Sequence, residues 1–148
     1  MHRALELAKT AASMGEVPVG AVIACRSSGE IIAEGYNLMQ NKNNSLMHAE
    51  IMAINIACDK LNSKCLSKCD IYINLEPCSM CASAIAFSRL SRLFYGAGDK
   101  KQGAVEHGSR YYNSNFCYHR PEIYPDIERE TSAVLVKNFF INIRKNNL

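Results

Sequence analysis

Apolar residues recur along this chain in two rhythms, one near 3.6 and one near 2. Ala4, Leu5, Ala8, Ala11 and Ala12 keep helical spacing over residues 1–14, and Gly15 is a natural stop. Residues 19–25 are short, β-branched and apolar, which predicts a buried strand. A polar turn at 26–30 leads into a second strand at 31–36, so the two form a hairpin. Residues 37–45 are polar and predict a loop. Beyond it a helix begins at Leu46 or Met47 and runs to about Leu61, with Ile51, Ile54, Ala57 and Cys58 inside. Residues 62–69 form a loop, and 70–75 alternate like a strand. Residues 78–89 read as a helix opened by Pro77 and filled by Ala82, Ala84, Ile85, Ala86 and Phe87. A short strand at 91–95 ends in Gly96-Ala97-Gly98. The stretch 99–120 has little periodicity, many tyrosines and basic residues, and is the candidate for a functional loop. A brief strand at 121–124 precedes a last helix from Asp126 to about Lys145, with Asp126 and Glu128 at its start and Arg144 and Lys145 at its end.

That order predicts an α/β fold with a mixed sheet between helical layers. The 148 residues make one domain, 1–148. No apolar run approaches the roughly 18 residues of a membrane span. The chain enters its first amphipathic pattern without a signal-peptide core, so a cytoplasmic protein is expected. The net charge of +3 permits an anionic partner without demanding one.

Two stretches carry the chemistry, Met47-His48-Ala49-Glu50 and Glu76-Pro77-Cys78-Ser79-Met80-Cys81. A catalytic zinc usually takes three protein ligands and leaves one position open. His48, Cys78 and Cys81 supply an imidazole and two thiolates, donors of suitable softness. Such a metal brings the pKa of water to about 7. Glu50, two residues from the histidine, is the candidate general acid–base. Residues two apart share no helix face, so both converge on one metal only near a helix start. Thiolates in a first helical turn gain from the dipole and from unpaired N–H groups. Two helix N-termini facing each other across one zinc are therefore expected.

A lone C-x-x-C also fits half of a structural zinc site or a redox pair. A lone H-x-E carries little meaning. The two about 30 residues apart, each opening a helical pattern, favour a catalytic zinc. Five cysteines remain outside it, and none shows a disulfide frame. Cys25 and Cys58 read as small buried apolar residues, Cys65 and Cys69 as free thiols.

The combined H-x-E and P-C-x-x-C pattern resembles the signature of zinc nucleobase deaminases. The likeness runs over nearly the whole chain. Glu16-Val17-Pro18-Val19-Gly20-Ala21-Val22, Gly35-Tyr36-Asn37, His48-Ala49-Glu50-Ile51, residues 75–82, residues 96–104 and Phe139-Phe140 resemble motifs of the bacterial tRNA-specific adenosine deaminases, in the cytidine-deaminase superfamily. The resemblance implies a three-layer α/β/α cytidine-deaminase-like fold with a mixed five-stranded sheet and one Zn2+ per subunit. It implies hydrolytic deamination of adenosine to inosine at the wobble position of a tRNA anticodon stem-loop. It also implies a homodimer in which both subunits shape the RNA site. Asn37 falls where the family holds the target base, and Asp99 matches an aspartate near the RNA backbone. Lys100 and Lys101 in the loop, with Phe139, Phe140, Arg144 and Lys145 in the tail, mix basic and aromatic side chains as single-stranded RNA binding requires. Lys101, Phe140 and Arg144 are accordingly candidate contacts, against the plainer readings of solvated cations and a core aromatic.

Leu46 and Met47 replace a small Thr-Ala pair of the family, and residues 105–114 differ as well. Both departures bear on substrate, so a free-base or nucleoside deaminase acting on guanine or cytosine with the same zinc is the alternative. A non-catalytic RNA-binding subunit, or a structural zinc or redox protein, would have no use for Glu50.

Overall fold

The computed structural model describes residues 1–146. In chain order it has α1 (His2–Ser13), β1 (Gly20–Cys25), β2 (Ile31–Tyr36), α2 (Ala49–Leu61), β3 (Cys69–Leu75), α3 (Ser79–Phe87), β4 (Arg92–Ala97), a 3₁₀ turn (Tyr111–Asn113), β5 (Glu122–Tyr124) and α4 (Arg129–Asn146). One five-stranded sheet has the order β2-β1-β3-β4-β5. β1 is antiparallel to β2 and β3, whereas β3, β4 and β5 are parallel. The mixed α/β/α arrangement expected from the pattern is the one observed.

Strand alternation assigns the faces. Ala21, Ile23, Ile71 and Ile73 pack with Ala49 and Ala53 of α2 and Ala82 and Ile85 of α3. Val22 and Tyr72, one residue out of phase, meet Ala4 and Leu7 of α1. So α2 and α3 cover one face, and α1, which touches α4, covers the other. Gly35 permits the tight seat of α2, because a Cβ there would collide with the Ala49 carbonyl.

The registers Gly20↔Tyr36 and Leu75↔Ala97 bring the exits of β2, β3 and β4 to one end of the sheet. That end contains the switch from antiparallel to parallel strands, where crevices form outside strand C-termini. Asn37, residues 76–78 and residues 98–99 all leave from it.

Several boundaries differ from the pattern. α2 starts at Ala49, because residues 38–48 are held in turns closed by Leu38 N–H to the Met47 carbonyl and His48 N–H to the Leu46 carbonyl. β4 continues to Ala97 through its pairing with Leu75. α4 begins at Arg129, since Asp126 and Glu128 take left-handed φ of 65° and 59°; Glu130 is the acidic residue of its first turn. Tyr112 in the 3₁₀ turn is buried and donates to the Ala82 carbonyl at 3.0 Å, so part of the aperiodic stretch belongs to the core. All seven cysteines are free. Cys25 and Cys58 are half-buried where full burial was expected, Cys69 lies inside β3, and Cys65 is exposed.

Candidate metal centre and active site

His48 and Cys78 occupy the same position on two different helices. Each is an N-cap with extended backbone, φ −76° and ψ 150° for His48, φ −71° and ψ 174° for Cys78. An N-cap side chain ordinarily accepts a hydrogen bond from its own first turn. Neither does so here. At α2 the task passes to Asn37, whose Oδ1 accepts the Ala49 N–H at 3.0 Å. The imidazole is thereby free to point across the gap.

Across that gap His48 Nδ1 lies 3.7 Å from Cys78 Sγ and 3.5 Å from Cys81 Sγ. The three donors fall within 4.8 Å of one another. Tetrahedral zinc, with Zn–S near 2.3 Å and Zn–N near 2.0 Å, puts such donors about 3.5 Å apart. The donor set and spacing therefore fit zinc. The hydrogen bond from Cys81, then contact with His48, pulls the Cys78 thiol down to about 4, while Cys81 is pushed up by its partner Cys78 and by burial. His48 is raised, first by its bond to Cys78.

Glu50, the second residue of α2, is buried beside these donors. Its Oε2 is a buried carboxyl oxygen with no hydrogen-bond partner. Burial pushes its pKa up. A buried carboxyl oxygen without a partner is costly unless something else occupies the site, and a carboxyl with a raised pKa is suited to exchanging protons near neutral pH.

The remaining sequence candidates are placed as follows. Asn37 is buried beside the start of α2. Asp99 caps a turn, its Oδ1 accepting the Lys101 N–H at 2.9 Å and the Gln102 N–H at 3.1 Å. Lys101 is exposed on that turn. The loop joins the metal-site segment at a backbone bridge between Cys78 and Gly103. Phe140, 42% exposed and T-shaped on Phe139, lies with exposed Arg144 on α4, across the sheet from α2 and α3. Leu46 projects into solvent, and Met47 is half-buried.

The sequence alone does not single out Glu76 and His107 as site residues. Glu76 accepts five hydrogen bonds: from the N–H groups of Asp99, Val105, Glu106 and His107 and from the His107 ring at 2.6 Å. The available signal was Glu76 next to Pro77-Cys78, followed by glycines at 98, 103 and 108.

The model of the MafB19-like deaminases matches residues 1–144. A tRNA-specific adenosine deaminase from Rickettsia bellii is 59% identical over 144 residues, which are 97% of this chain and 99% of that protein. The chain belongs to the tRNA-specific adenosine deaminase family. It is a deaminase. A structure from work on A-to-I editing by tRNA:A34 deaminases at the wobble position of transfer RNA shares 42% identity and a TM-score of 0.88, covering 91% of this chain and 96% of that one. A guanine deaminase from Bacillus subtilis aligns less fully, at 34% identity and a TM-score of 0.61 over 72% of this chain and 77% of that one. Within the tRNA-specific adenosine deaminase family, then, this member keeps the cytidine-deaminase-like fold whole.

Proposed function

We propose that this protein converts adenosine to inosine at the wobble position of a tRNA anticodon, using one zinc ion per subunit. The observation that carries the reading is the buried carboxyl of Glu50, its Oε2 without a partner, beside the His48, Cys78 and Cys81 donors. Bound there, zinc would supply the Lewis acidity that makes water a usable nucleophile near neutral pH. Glu50 takes a proton from the water that adds to C6 of the base. It returns a proton to the departing amino group, so adenosine and water become inosine and ammonia. Asn37 holds both the start of α2 and the target base. Lys101, Asp99, Phe140 and Arg144 contact the RNA. An anticodon loop suits this arrangement because its unpaired bases can be splayed into a pocket.

The reading includes a homodimer in the cytoplasm. Among the described residues no helix is long and apolar enough to cross a membrane. The groove between α2 and α3, lined by Ile54, Cys58, Ala84 and Phe87, is the apolar face such a dimer would cover; Phe87 is 81% exposed. Light scattering should give a dimer for the native chain and a monomer for Phe87→Glu.

The deciding experiment is a deamination assay on zinc-loaded protein. Its substrates are an anticodon stem-loop with adenosine at the wobble position, the same loop with guanosine there, and free adenosine, cytidine, guanine and cytosine. Inosine formed only in the adenosine stem-loop is the expected result. Turnover of guanine or cytosine alone would move the chain to the free-base deaminases, with Leu46 and Met47 the first residues to exchange.

A further inference from the structure

The carboxylate of Glu76 is the hub of a loop. Val105, Glu106 and His107 donate their N–H groups to its Oε1 at 3.0, 2.8 and 3.0 Å. Asp99 N–H at 2.9 Å and the His107 ring at 2.6 Å meet its Oε2. The residue leaves almost no surface exposed, yet four of its five donors are backbone groups of an otherwise irregular segment. Buried backbone N–H groups must find acceptors, and this loop finds them in one side chain.

Two glycines make the wrapping possible. A Cβ on Gly103 would run into the Glu76 carboxyl group and the Asp99 carbonyl. Gly108 has φ +50° and passes against the Gly103 carbonyl. Ala104 N–H donates to the Pro77 carbonyl at 2.9 Å, and Gly103 bridges Cys78, so the wrapped loop is fastened to the segment bearing the metal donors. On its outer side the loop exposes Lys100 and Lys101, which stand next to the Asp99-capped turn. A cationic turn is thus set at a fixed place relative to Cys78.

We propose that Glu76 and His107 are positioning residues that clasp the 99–107 loop beside the metal donors, so that its lysines meet the RNA backbone in register with the target base. This rests on the tRNA reading given above. The carboxylate moves no proton in the reaction and touches no substrate; it acts through the loop. His107 is the one side-chain donor of the clasp and is half-buried at its outer edge, so its loss weakens the clasp without opening the core.

The test uses the full zinc-loaded protein with three variants, His107→Ala, His107→Gln and Glu76→Gln. Glutamine at 76 keeps one acceptor oxygen and turns an NH₂ toward donors on the other side, so at least one N–H is left unpaired. Amide hydrogen exchange of residues 99 and 105–107, which needs no substrate, is read first. Exchange there should rise in His107→Ala and more so in Glu76→Gln, and fall back in His107→Gln, which restores a side-chain donor. Steady-state deamination of the anticodon stem-loop is read second. His107→Ala should raise KM about tenfold with kcat within about twofold, the effect of one charge-assisted hydrogen bond. Zinc content and the melting temperature of His107→Ala should stay close to native, which separates loop positioning from loss of the fold.

Unchanged exchange in His107→Ala overturns the clasp, and Glu76→Gln failing to fold does not rescue it. Raised exchange with unchanged KM on an active stem-loop overturns the role of the loop in RNA placement. A fall in kcat with unchanged KM also overturns it. Should the native protein leave the stem-loop untouched, the tRNA reading itself fails, and it fails in the unmutated enzyme, where the clasp variants play no part.

Discussion

Glu50 and Glu76 flank the same three donors, and each is 3% exposed. Their surroundings are opposite. Burial raises the pKa of both, but at Glu76 the hydrogen bonds from His107, Asp99 and Glu106 more than offset it and hold the group below the ordinary carboxylate range. At Glu50 burial prevails, and Oε2 has no partner. A carboxylate with five donors can take a proton only by giving up bonds that hold a loop. A carboxyl with an idle oxygen can exchange one freely. On the proposed mechanism, residue type and depth do not distinguish the proton carrier from the scaffold. The count of donors does.

The largest expected effect breaks or confirms that contrast directly. Glu50→Gln should lower kcat by about 10²–10⁴, the range for loss of general acid–base catalysis. Its zinc content should stay native, because the amide leaves His48, Cys78 and Cys81 in place. Single-turnover rates with metal analysis on the same sample check both. Activity within tenfold of native would make the idle oxygen of Glu50 incidental, and the two carboxylates would no longer differ in role.

A second comparison sharpens the boundary between the metal side and the loop side. Cys78→Ser should lose zinc and melt lower by about 5–10 °C, corresponding to about 2.7 kcal/mol of ligand stabilisation at a hundredfold excess over Kd. Native protein stripped by a chelator should melt at the same temperature as the variant. The Glu76 bonds need no metal, so exchange at residues 105–107 should rise far less than in Glu76→Gln. A metal-replete and active Cys78→Ser would show that the donor set is misassigned.

What the sequence disclosed follows from how local each feature is. Strand and helix rhythm gave the layers, because burial on one face writes a period into the chain. His48, Glu50, Cys78 and Cys81 stand out in the sequence because each pair is two or three residues apart and its chemistry is unusual. The pattern puts the start of α4 too early because Asp126 and Glu128 look like first-turn acids, and only their left-handed backbone shows that the helix has not yet begun. Glu76 was silent for a different reason. Its partners lie from 23 to 31 residues away and are mostly backbone N–H groups, which leave no mark in side-chain identity. The resemblance points to Asn37 as a base-holding residue, whereas its relief of the His48 capping duty is a hydrogen bond spanning 12 residues.

Glu16 repeats the Glu76 device on the opposite loop, and the smallest predicted effect tests whether it works alike. It is 1% exposed, and its Oε1 accepts the Asn41 backbone N–H at 2.8 Å and the Asn41 side-chain amide at 2.9 Å. These bonds tie down residues 38–47, the approach to His48. Burial pushes the Glu16 pKa up, and the Asn41 bonds outweigh it, so the folded value is lowered. A lowered carboxylate adds stability that is complete above its unfolded value, near 4.3, and disappears as pH falls through the folded value. Glu16→Gln should therefore cost about 1 kcal/mol at pH 7, since the amide oxygen can still accept both Asn41 bonds and only the charge that strengthens them is lost. Its urea midpoint should fall less than the native midpoint does between pH 5 and pH 3, so the two curves converge in acid. Parallel curves would mean that the Asn41 bonds favour the charged form of Glu16 no more than water does. Loops on the two sides of the metal donors would then be held by different physics, with Glu76 a clasp and Glu16 merely buried.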